Sequence, residues 1–302
     1  MDTRYVVQNL LPAREVSILA GASGVGKSTF LMQMVAAIVN GETAFMGHDI
    51  SHPQRVAYIA ADRTFDSYTE LAARVGLDLR RLQTRSLVDD DTIDVTRLER
   101  DPMELLMSMI ASFRSPTLVI IDPMVIFLGV DPNRYQQVAP RLIRMGRWCR
   151  ANNYTIMATH HATKARSDYS FMRPQDRISG SSALLGFTSS QLFLSGPDEI
   201  KKPYAEFIAV NHNAPPEVIK LARNDRGLFA PWRAESVNEA LTPLILSAVA
   251  KKGAPMSKKE IEAATRIDPN TLGGLLDALV DAEVLSGKGK TGYVIPVAAA
   301  VS

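Results

Sequence analysis

The strongest chemical signal in the chain is a glycine-rich segment of the type G-x-x-x-x-G-K-[ST], which reads Gly21-Ala22-Ser23-Gly24-Val25-Gly26-Lys27-Ser28 and continues into Thr29. Glycines let the backbone curl tightly, so that its N–H groups point inward at phosphate oxygens. Lys27 can reach the β- and γ-phosphates of a nucleoside triphosphate, and the Ser28 hydroxyl can bind Mg²⁺. The segment therefore predicts binding of ATP and Mg²⁺ by residues 21–29.

The residues on either side of this segment have the patterns that a phosphate-binding loop requires. Glu15–Ala20 is apolar enough for a buried strand, and Thr29–Val39 has the apolar face of a helix. A helix that begins at the loop adds the positive end of its dipole where the phosphates bind. The order of strand, loop and helix therefore supports the motif.

Two acidic residues at the ends of other predicted strands extend the expected chemistry. Asp122 ends the apolar run Thr117–Asp122, where a carboxylate can hold Mg²⁺ through water. Asp62 follows the predicted strand Arg55–Ala60, where a carboxylate can polarise the water that attacks the γ-phosphate. Because a kinase needs no such water, Asp62 favours hydrolysis over transfer of the phosphoryl group to a second substrate.

A histidine pair follows a fourth predicted strand, Tyr154–Thr159. His161, or alternatively His160, can contact the γ-phosphate and report its loss to the loop that follows. A metal site and a place in the core are the other interpretations of the pair. Since adjacent residues of a strand point to opposite faces, only one of the two histidines can point at the phosphates.

Predicted strands and helices alternate from about residue 15 to about residue 200, which indicates an α/β fold with a mostly parallel sheet covered on both faces. Helices are predicted over Ser67–Val75 and Gln136–Ala151, and a fifth strand over Ser190–Ser195. Two further runs, Ala205–Val210 and Val218–Ala222, precede a turn and predict an antiparallel extension at the sheet edge.

The remaining residues predict a second, smaller domain. Leu241–Val249 has a helical pattern, and Ser257–Glu260 has the spacing of a capping box that opens another helix. Three helices followed by a basic hairpin form a winged helix-turn-helix. The predicted organisation is an ATPase domain over 1–235, a winged helix-turn-helix domain over 236–296, and a disordered tail over 297–302.

Composition limits the class of protein without identifying it. The 302 residues, 46% hydrophobic and 22% charged, suit a globular protein with one large domain and one small one. The net charge of +2 gives no bulk attraction for nucleic acid, and the single Cys149 excludes an intrachain disulfide. With no apolar run long enough to span a membrane, the sequence predicts a cytoplasmic protein without a membrane partner.

The motifs GASGVGKST, YIAAD, LVIID, THHATK and RISGSSAL together resemble the RecA/DnaB superfamily of ring-forming motors, and within it the hexameric replicative helicases of plasmids and phages. The resemblance covers roughly residues 8–232. It implies a RecA-like sheet, a homo-oligomeric, hexameric ring with ATP at the subunit interfaces, and single-stranded DNA in the central channel. The residues that match its phosphate, Mg²⁺, catalytic and sensor positions are Lys27, Ser28, Asp122, Asp62 and His161.

Two positions differ from the pattern of that family. Its catalytic acid is usually glutamate, whereas Asp62 is one methylene shorter, which predicts slower hydrolysis or a second water. The family also supplies a Lys or Arg across the subunit interface from the strand near 206–214, where the basic side chain of this chain is His212. Histidine is mostly neutral at pH 7, so Arg223 or Arg226 would have to replace that arginine.

The loop from Ala162 to Gly180 is the candidate DNA-binding segment. Its basic side chains are Lys164, Arg166, Arg173 and Arg177. Tyr169 and Phe171 lie between them, and basic residues interleaved with aromatic ones suit backbone contacts and base stacking on single-stranded DNA. A flexible solvated loop is the alternative interpretation.

The C-terminal domain lacks the charge of a protein that reads duplex DNA. Residues 236–302 hold seven Lys or Arg and seven Asp or Glu, and the predicted recognition helix has no basic residue after Pro269. Base-reading helices present Arg, Lys, Asn or Gln. We therefore favour contacts with proteins, such as replication proteins, over contacts of Lys288 and Lys290 with DNA phosphates.

These features favour a DNA-stimulated ATPase motor, a replicative helicase of a phage or plasmid. One alternative is a recombination ATPase, which forms open filaments where a helicase forms closed rings. The other alternative is an ATP-switched adaptor, such as a helicase loader or regulator, with weak hydrolysis. A small-molecule kinase is the least favoured class, because no acceptor pocket or lid is indicated.

Overall fold

The computed structural model describes residues 5–51, 54–62, 64–89, 101–162, 182–196, 204–232, 234–281, 283–287 and 292–296. The chain divides into two compact units, one of residues 1–200 and 205–231 and the other of residues 201–204 and 232–302. Within the described residues, no helix is long and apolar enough to cross a membrane.

The larger unit contains strands and helices in alternation. Its strands are β1 (Tyr5–Val7), β2 (Leu11–Pro12), β3 (Val16–Gly21), β4 (Ala44–Phe45), β5 (His48–Asp49), β6 (Val56–Ala60), β7 (Gln83–Ser86), β8 (Leu118–Asp122), β9 (Thr155–His161), β10 (Ser190–Ser195), β11 (Ala205–Asn211), β12 (Ala214–Arg223) and β13 (Phe229–Pro231). Its helices are α1 (Lys27–Asn40), α2 (Phe65–Val75), α3 (Pro102–Ser112), α4 (Val125–Leu128), α5 (Tyr135–Asn152) and α6 (Ala183–Gly186), with a 3-10 turn at Leu79–Arg81.

The main sheet has the strand order β13-β12-β11-β10-β3-β9-β8-β6-β7. The pairs from β10 to β7 are parallel, and the pairs from β10 to β13 are antiparallel. This arrangement confirms the predicted mostly parallel sheet with an antiparallel extension. The hairpins β1–β2 and β4–β5 lie outside it and were not predicted.

Alternate residues of the central strands pack in two separate hydrophobic clusters, one on each face of the sheet. In β8, Leu118 and Ile120 belong to a cluster with residues of α1 and α2, whereas Val119 and Ile121 belong to a cluster with residues of α3 and α5. Because both faces are covered, the strands are apolar throughout, as the sequence pattern predicted. The predicted helices on both sides of the sheet are therefore confirmed.

The smaller unit has its own core. Its helices are α7 (Ala234–Lys252), α8 (Lys258–Thr265) and α9 (Pro269–Asp281), and its apolar cluster includes Ile245, Ile261 and Leu276. The predicted capping box is confirmed, because the Ser257 hydroxyl accepts from the Glu260 N–H while the Glu260 carboxylate accepts from the Ser257 N–H. The winged helix-turn-helix stays a prediction, because wing residues 288–291 lie outside the described residues.

Candidate functional site

The carboxyl ends of the central parallel strands meet at one edge of the sheet. Gly21 at the end of β3 pairs with His161 at the end of β9, and Ala60 at the end of β6 pairs with Asp122 at the end of β8. A cleft of about 230 Å³ opens at this edge. The predicted residues that line it are Ser23, Gly24, Gly26, Lys27, Ser28, Thr29, Asp62, Asp122 and His161. The sheet thus brings together side chains that are far apart in the sequence.

The glycine-rich loop has the backbone conformation that its residue types suggest. Gly24 and Gly26 have φ angles of 79° and 100°, in the left-handed region that favours glycine. A Cβ atom at Gly26 would also collide with the guanidinium of Arg223. Replacement of Gly26 by any other residue would therefore disturb both the turn and its contact with Arg223.

Lys27 lies at the start of α1 and curls back over the loop. Its Nζ donates to the carbonyl oxygens of Gly21 and Ala22, each at 2.9 Å, and the residue is only 8% exposed. The ammonium is thereby held inside the curve that the loop backbone forms. A positive charge fixed in this position suits the oxygens of a phosphate chain.

Asp122 is buried, and three hydroxyl groups donate to its carboxylate. Tyr58 and Tyr68 donate to Oδ2, at 3.0 and 3.2 Å, and Thr159 donates to Oδ1. These bonds fix the plane of the carboxylate and offset the loss of water around it, since Asp122 is 4% exposed. The sequence singled out Asp122 but none of its three partners.

The two tyrosines remain donors because both phenols hold their protons strongly. Burial first, and then the charge of Asp122, raises the pKa of Tyr58 well above its usual value. Burial likewise raises the pKa of Tyr68, and the charges of Asp122 and Asp62 add to that increase. Free tyrosine has a pKa near 10, so neither phenol ionises at neutral pH.

The histidine pair is divided by the alternation of the strand. Thr159 and His161 share one face of β9, where Thr159 contacts Asp122 and His161 lines the cleft. His160 is 3% exposed and does not line the cleft. The geometry therefore favours His161 over His160 as the residue that faces a bound phosphate.

The donor set of the cleft fits Mg²⁺. Ser28, Asp62 and Asp122 present hydroxyl and carboxylate oxygens, which are the ligands that Mg²⁺ prefers. In the part of the chain that the structure describes, no group of three or more His, Cys, Asp or Glu could hold a metal ion. Proteins usually hold Mg²⁺ through one or two carboxylates, with water and phosphate oxygens completing the coordination, and Asp62 and Asp122 supply two carboxylates at the cleft.

The candidate arginines occupy different places. Arg223 lines the cleft of its own chain, where its Nη2 donates to the carbonyl oxygen of Val25 at 2.5 Å. Arg226 is exposed in the turn between β12 and β13, and His212 is exposed in the turn between β11 and β12. The predicted DNA-binding residues, Lys164, Arg166, Arg173 and Arg177, lie outside the described residues.

We expect the substitution Tyr68→Phe to lower the free energy of unfolding by about 1.5–3 kcal/mol, because it removes a hydrogen bond to a buried carboxylate. Urea denaturation measures the change. Tyr135→Phe is the matched control, since Tyr135 is 49% exposed and the substitution keeps its ring. Equal losses in the two variants would show that the bond to Asp122 contributes nothing specific.

A protein-family model described as an AAA domain matches residues 2–167, more than half of the 302-residue chain. The matched range contains the glycine-rich loop, Asp62, Asp122 and the histidine pair. Among curated proteins, none matches the chain.

Proposed function

The chain belongs to the AAA domain family of P-loop nucleotide-binding domains, and on that premise we propose that it is an ATP-hydrolysing motor stimulated by single-stranded DNA. Its proposed working form is a homo-hexameric ring, and its proposed role is that of a replicative helicase of a phage or plasmid. The observation that supports this function most directly is the meeting of Lys27, Ser28, Asp62, Asp122 and His161 around one cleft.

Each of these side chains has a distinct part in the proposed hydrolysis. Lys27, held by the loop carbonyls, offsets the negative charge of the β- and γ-phosphates. Asp122, held by its three hydroxyl donors, and Ser28 would hold Mg²⁺, which would supply positive charge to offset the negative charge of the phosphates. Asp62 is exposed at the cleft, where its carboxylate polarises the attacking water.

The proposed coupling to DNA begins at His161. This residue lines the cleft, and the basic loop starts one position later at Ala162. In this proposal, ATP binding makes the loop grip the single-stranded DNA. Loss of the γ-phosphate, sensed by His161, then makes the loop release the DNA. Lys164, Arg166, Arg173 and Arg177 supply the positive charge for the DNA backbone in this proposal.

The smaller unit is proposed to contact other replication proteins. Residues 236–302, which form most of this unit, contain seven acidic and seven basic residues and so give no net attraction for DNA. Described residues of its third helix, α9, include Asp277 and Asp281 and no Lys or Arg. An acidic helix of this kind repels a phosphate backbone, so a protein partner fits it better.

The rate of ATP hydrolysis with and without single-stranded DNA tests the proposed motor. We expect a several-fold increase with DNA, and we expect the Lys27→Ala variant to show no DNA-dependent rate. ATP binding with turnover that stays at the background of that variant, even with DNA present, would exclude a motor.

An ATP-switched adaptor is the second candidate, and the arginine positions favour it. Neither His212 nor the shorter acid Asp62 matches an efficient hydrolase of this kind, and Arg223 lies at the loop of its own chain. Loss of an arginine supplied across an interface lowers turnover by about 10³- to 10⁵-fold in related chemistry. Binding without turnover would therefore favour the adaptor.

A recombination ATPase shares the proposed chemistry and differs in assembly. Subunits related by a rotation that closes give rings, and those related by one that does not close give filaments. Electron microscopy of the protein with ATP and single-stranded DNA distinguishes the two, since filaments along the DNA would contradict a helicase ring.

A further inference from the structure

The β12–β13 hairpin places a second positive charge at the glycine-rich loop. Arg223, the last residue of β12, donates its Nη2 to the carbonyl oxygen of Val25 at 2.5 Å and lines the same cleft as Lys27. Gly26, between those two loop residues, lies so close to the guanidinium that any side chain there would collide with it. The contact joins elements nearly 200 positions apart in the sequence.

The position of Arg223 is fixed by its neighbour across the hairpin. The guanidinium lies over the ring of Phe229, with its central carbon 4.6 Å from the ring centroid. Phe229 is held to α1 by Gln33, whose amide oxygen accepts from the Phe229 N–H at 2.8 Å and whose amide nitrogen donates to the Phe229 carbonyl at 2.9 Å. Its ring also packs edge-to-face on Phe30, with centroids 5.8 Å apart. Helix α1 thus carries both the loop and the support for Arg223.

Among the described residues, the partners of Arg223 carry no negative charge. One partner is a carbonyl oxygen and the other is an aromatic ring, and within the described residues no carboxylate forms an ion pair with it. Stacking on Phe229 covers one face of the guanidinium. An arginine held in this way is suited to bind phosphate oxygens, because its planar fork is already oriented.

We propose that Arg223 is a phosphate-binding residue of its own subunit, which exchanges the Val25 carbonyl for an oxygen of the bound nucleotide. The inference rests on the proposed function, since it concerns the same nucleotide site. It assigns Arg223 a role within one chain, in place of a role across a subunit interface. Lys27 and Arg223 then contact the phosphate chain from α1 and from the hairpin, two elements that the bonds between Gln33 and Phe229 already hold together.

Nucleotide affinity tests this assignment on the full-length protein, without any need for turnover. We expect Arg223→Ala to weaken the calorimetric Kd for ATP by about 10-fold, the size of one charge-assisted hydrogen bond. The affinity for adenosine should not change, because adenosine has no phosphate. Arg147→Ala is the matched control for affinity, since Arg147 is exposed on α5 and does not line the cleft.

Two further substitutions separate charge from support of the loop. Arg223→Gln keeps an N–H donor for the Val25 carbonyl but removes the charge, whereas Arg223→Lys keeps the charge. We expect the lysine variant to recover most of the ATP affinity and the glutamine variant to stay weak. Recovery by glutamine would show that Arg223 only supports the loop, and would overturn the assignment.

Mixing two impaired variants, at an ATP concentration too low for the Arg223→Ala variant to bind appreciably, separates action within a subunit from action across an interface. A mixture of Lys27→Ala and Arg223→Ala chains contains no subunit with both side chains, so we expect no recovery of ATP turnover. Recovered turnover would place Arg223 across an interface and overturn the inference, while the proposed hydrolysis would stand. Absence of ATP binding by the unchanged protein would overturn both proposals, and unchanged affinity in Arg223→Ala would overturn the inference alone.

Discussion

Replacing Lys27 with alanine should lower ATP turnover by about 10²- to 10³-fold, the usual cost of removing a preorganised charge from a transition state. Of the described residues that line the cleft, Lys27 and Arg223 are the two with basic aliphatic or guanidinium side chains. Lys27 is the more deeply placed, because its Nζ lies on the carbonyl oxygens of Gly21 and Ala22 inside the loop. Among the described residues, no other lysine lines the cleft.

The measurement is steady-state ATP hydrolysis at saturating Mg²⁺, with circular dichroism to verify that the variant is folded. Lys251→Ala is the control for loss of a lysine charge, since Lys251 is exposed at the end of α7 in the smaller unit. We expect the control to hydrolyse ATP at the unchanged rate. Turnover of Lys27→Ala within a few-fold of the unchanged protein would contradict the assignment of this cleft as the catalytic site.

The parts of the site that could be predicted from the sequence are those built from contiguous residues or from strand ends. The loop at residues 21–29 is a local structure, and its glycines have the φ angles that its pattern implies. Asp62 and Asp122 were found because parallel strands in one sheet end at the same edge. Alternation along β9 then favours His161 over His160, since only one of two adjacent side chains can face the cleft.

The contacts of Asp122 could not be found in the same way, because they depend on pairing between distant elements. Tyr58 lies two residues before Ala60, the residue that pairs with Asp122 in the sheet. Because side chains two residues apart share one face of a strand, the contact of Tyr58 with Asp122 could be predicted once this pairing is known. Tyr68 lies on α2, and its direction follows from the packing of that helix. Arg223 is a similar case, since its place depends on how the hairpin folds onto α1.

Prediction of the fold from the sequence has similar limits, because some helices and strands lack a clear local pattern. The edge strand β7, Gln83–Ser86, has no apolar alternation and therefore gave no strand signal. Pro215 and Pro216 obscured the first half of β12, which begins at Ala214 where the pairing with β11 shifts register. Helix α3 is not among the predicted helices. The sequence nevertheless contains its start signal, the N-cap Asp101 followed directly by a proline.

The last prediction concerns Asp122. Its substitution by asparagine should abolish most of the effect of Mg²⁺ on ATP binding and ATP turnover. Asparagine keeps the size of the side chain and one oxygen acceptor, so the hydroxyl groups of Tyr58, Tyr68 and Thr159 retain a polar partner. It removes the negative charge, and a bound metal ion contributes several kcal/mol to the transition state. We therefore expect ATP turnover to fall by about 10²-fold or more.

A comparison of ATP affinity with Mg²⁺ and with EDTA separates this effect from a general loss of structure. In the unchanged protein we expect Mg²⁺ to tighten ATP binding, whereas in Asp122→Asn the two affinities should be nearly equal. Asp281→Asn is the control, since Asp281 is exposed at the end of α9 in the smaller unit, and it should keep the full Mg²⁺ effect. An undiminished Mg²⁺ effect in Asp122→Asn would show that the metal is held elsewhere, and that the three hydroxyl donors orient Asp122 for the fold alone.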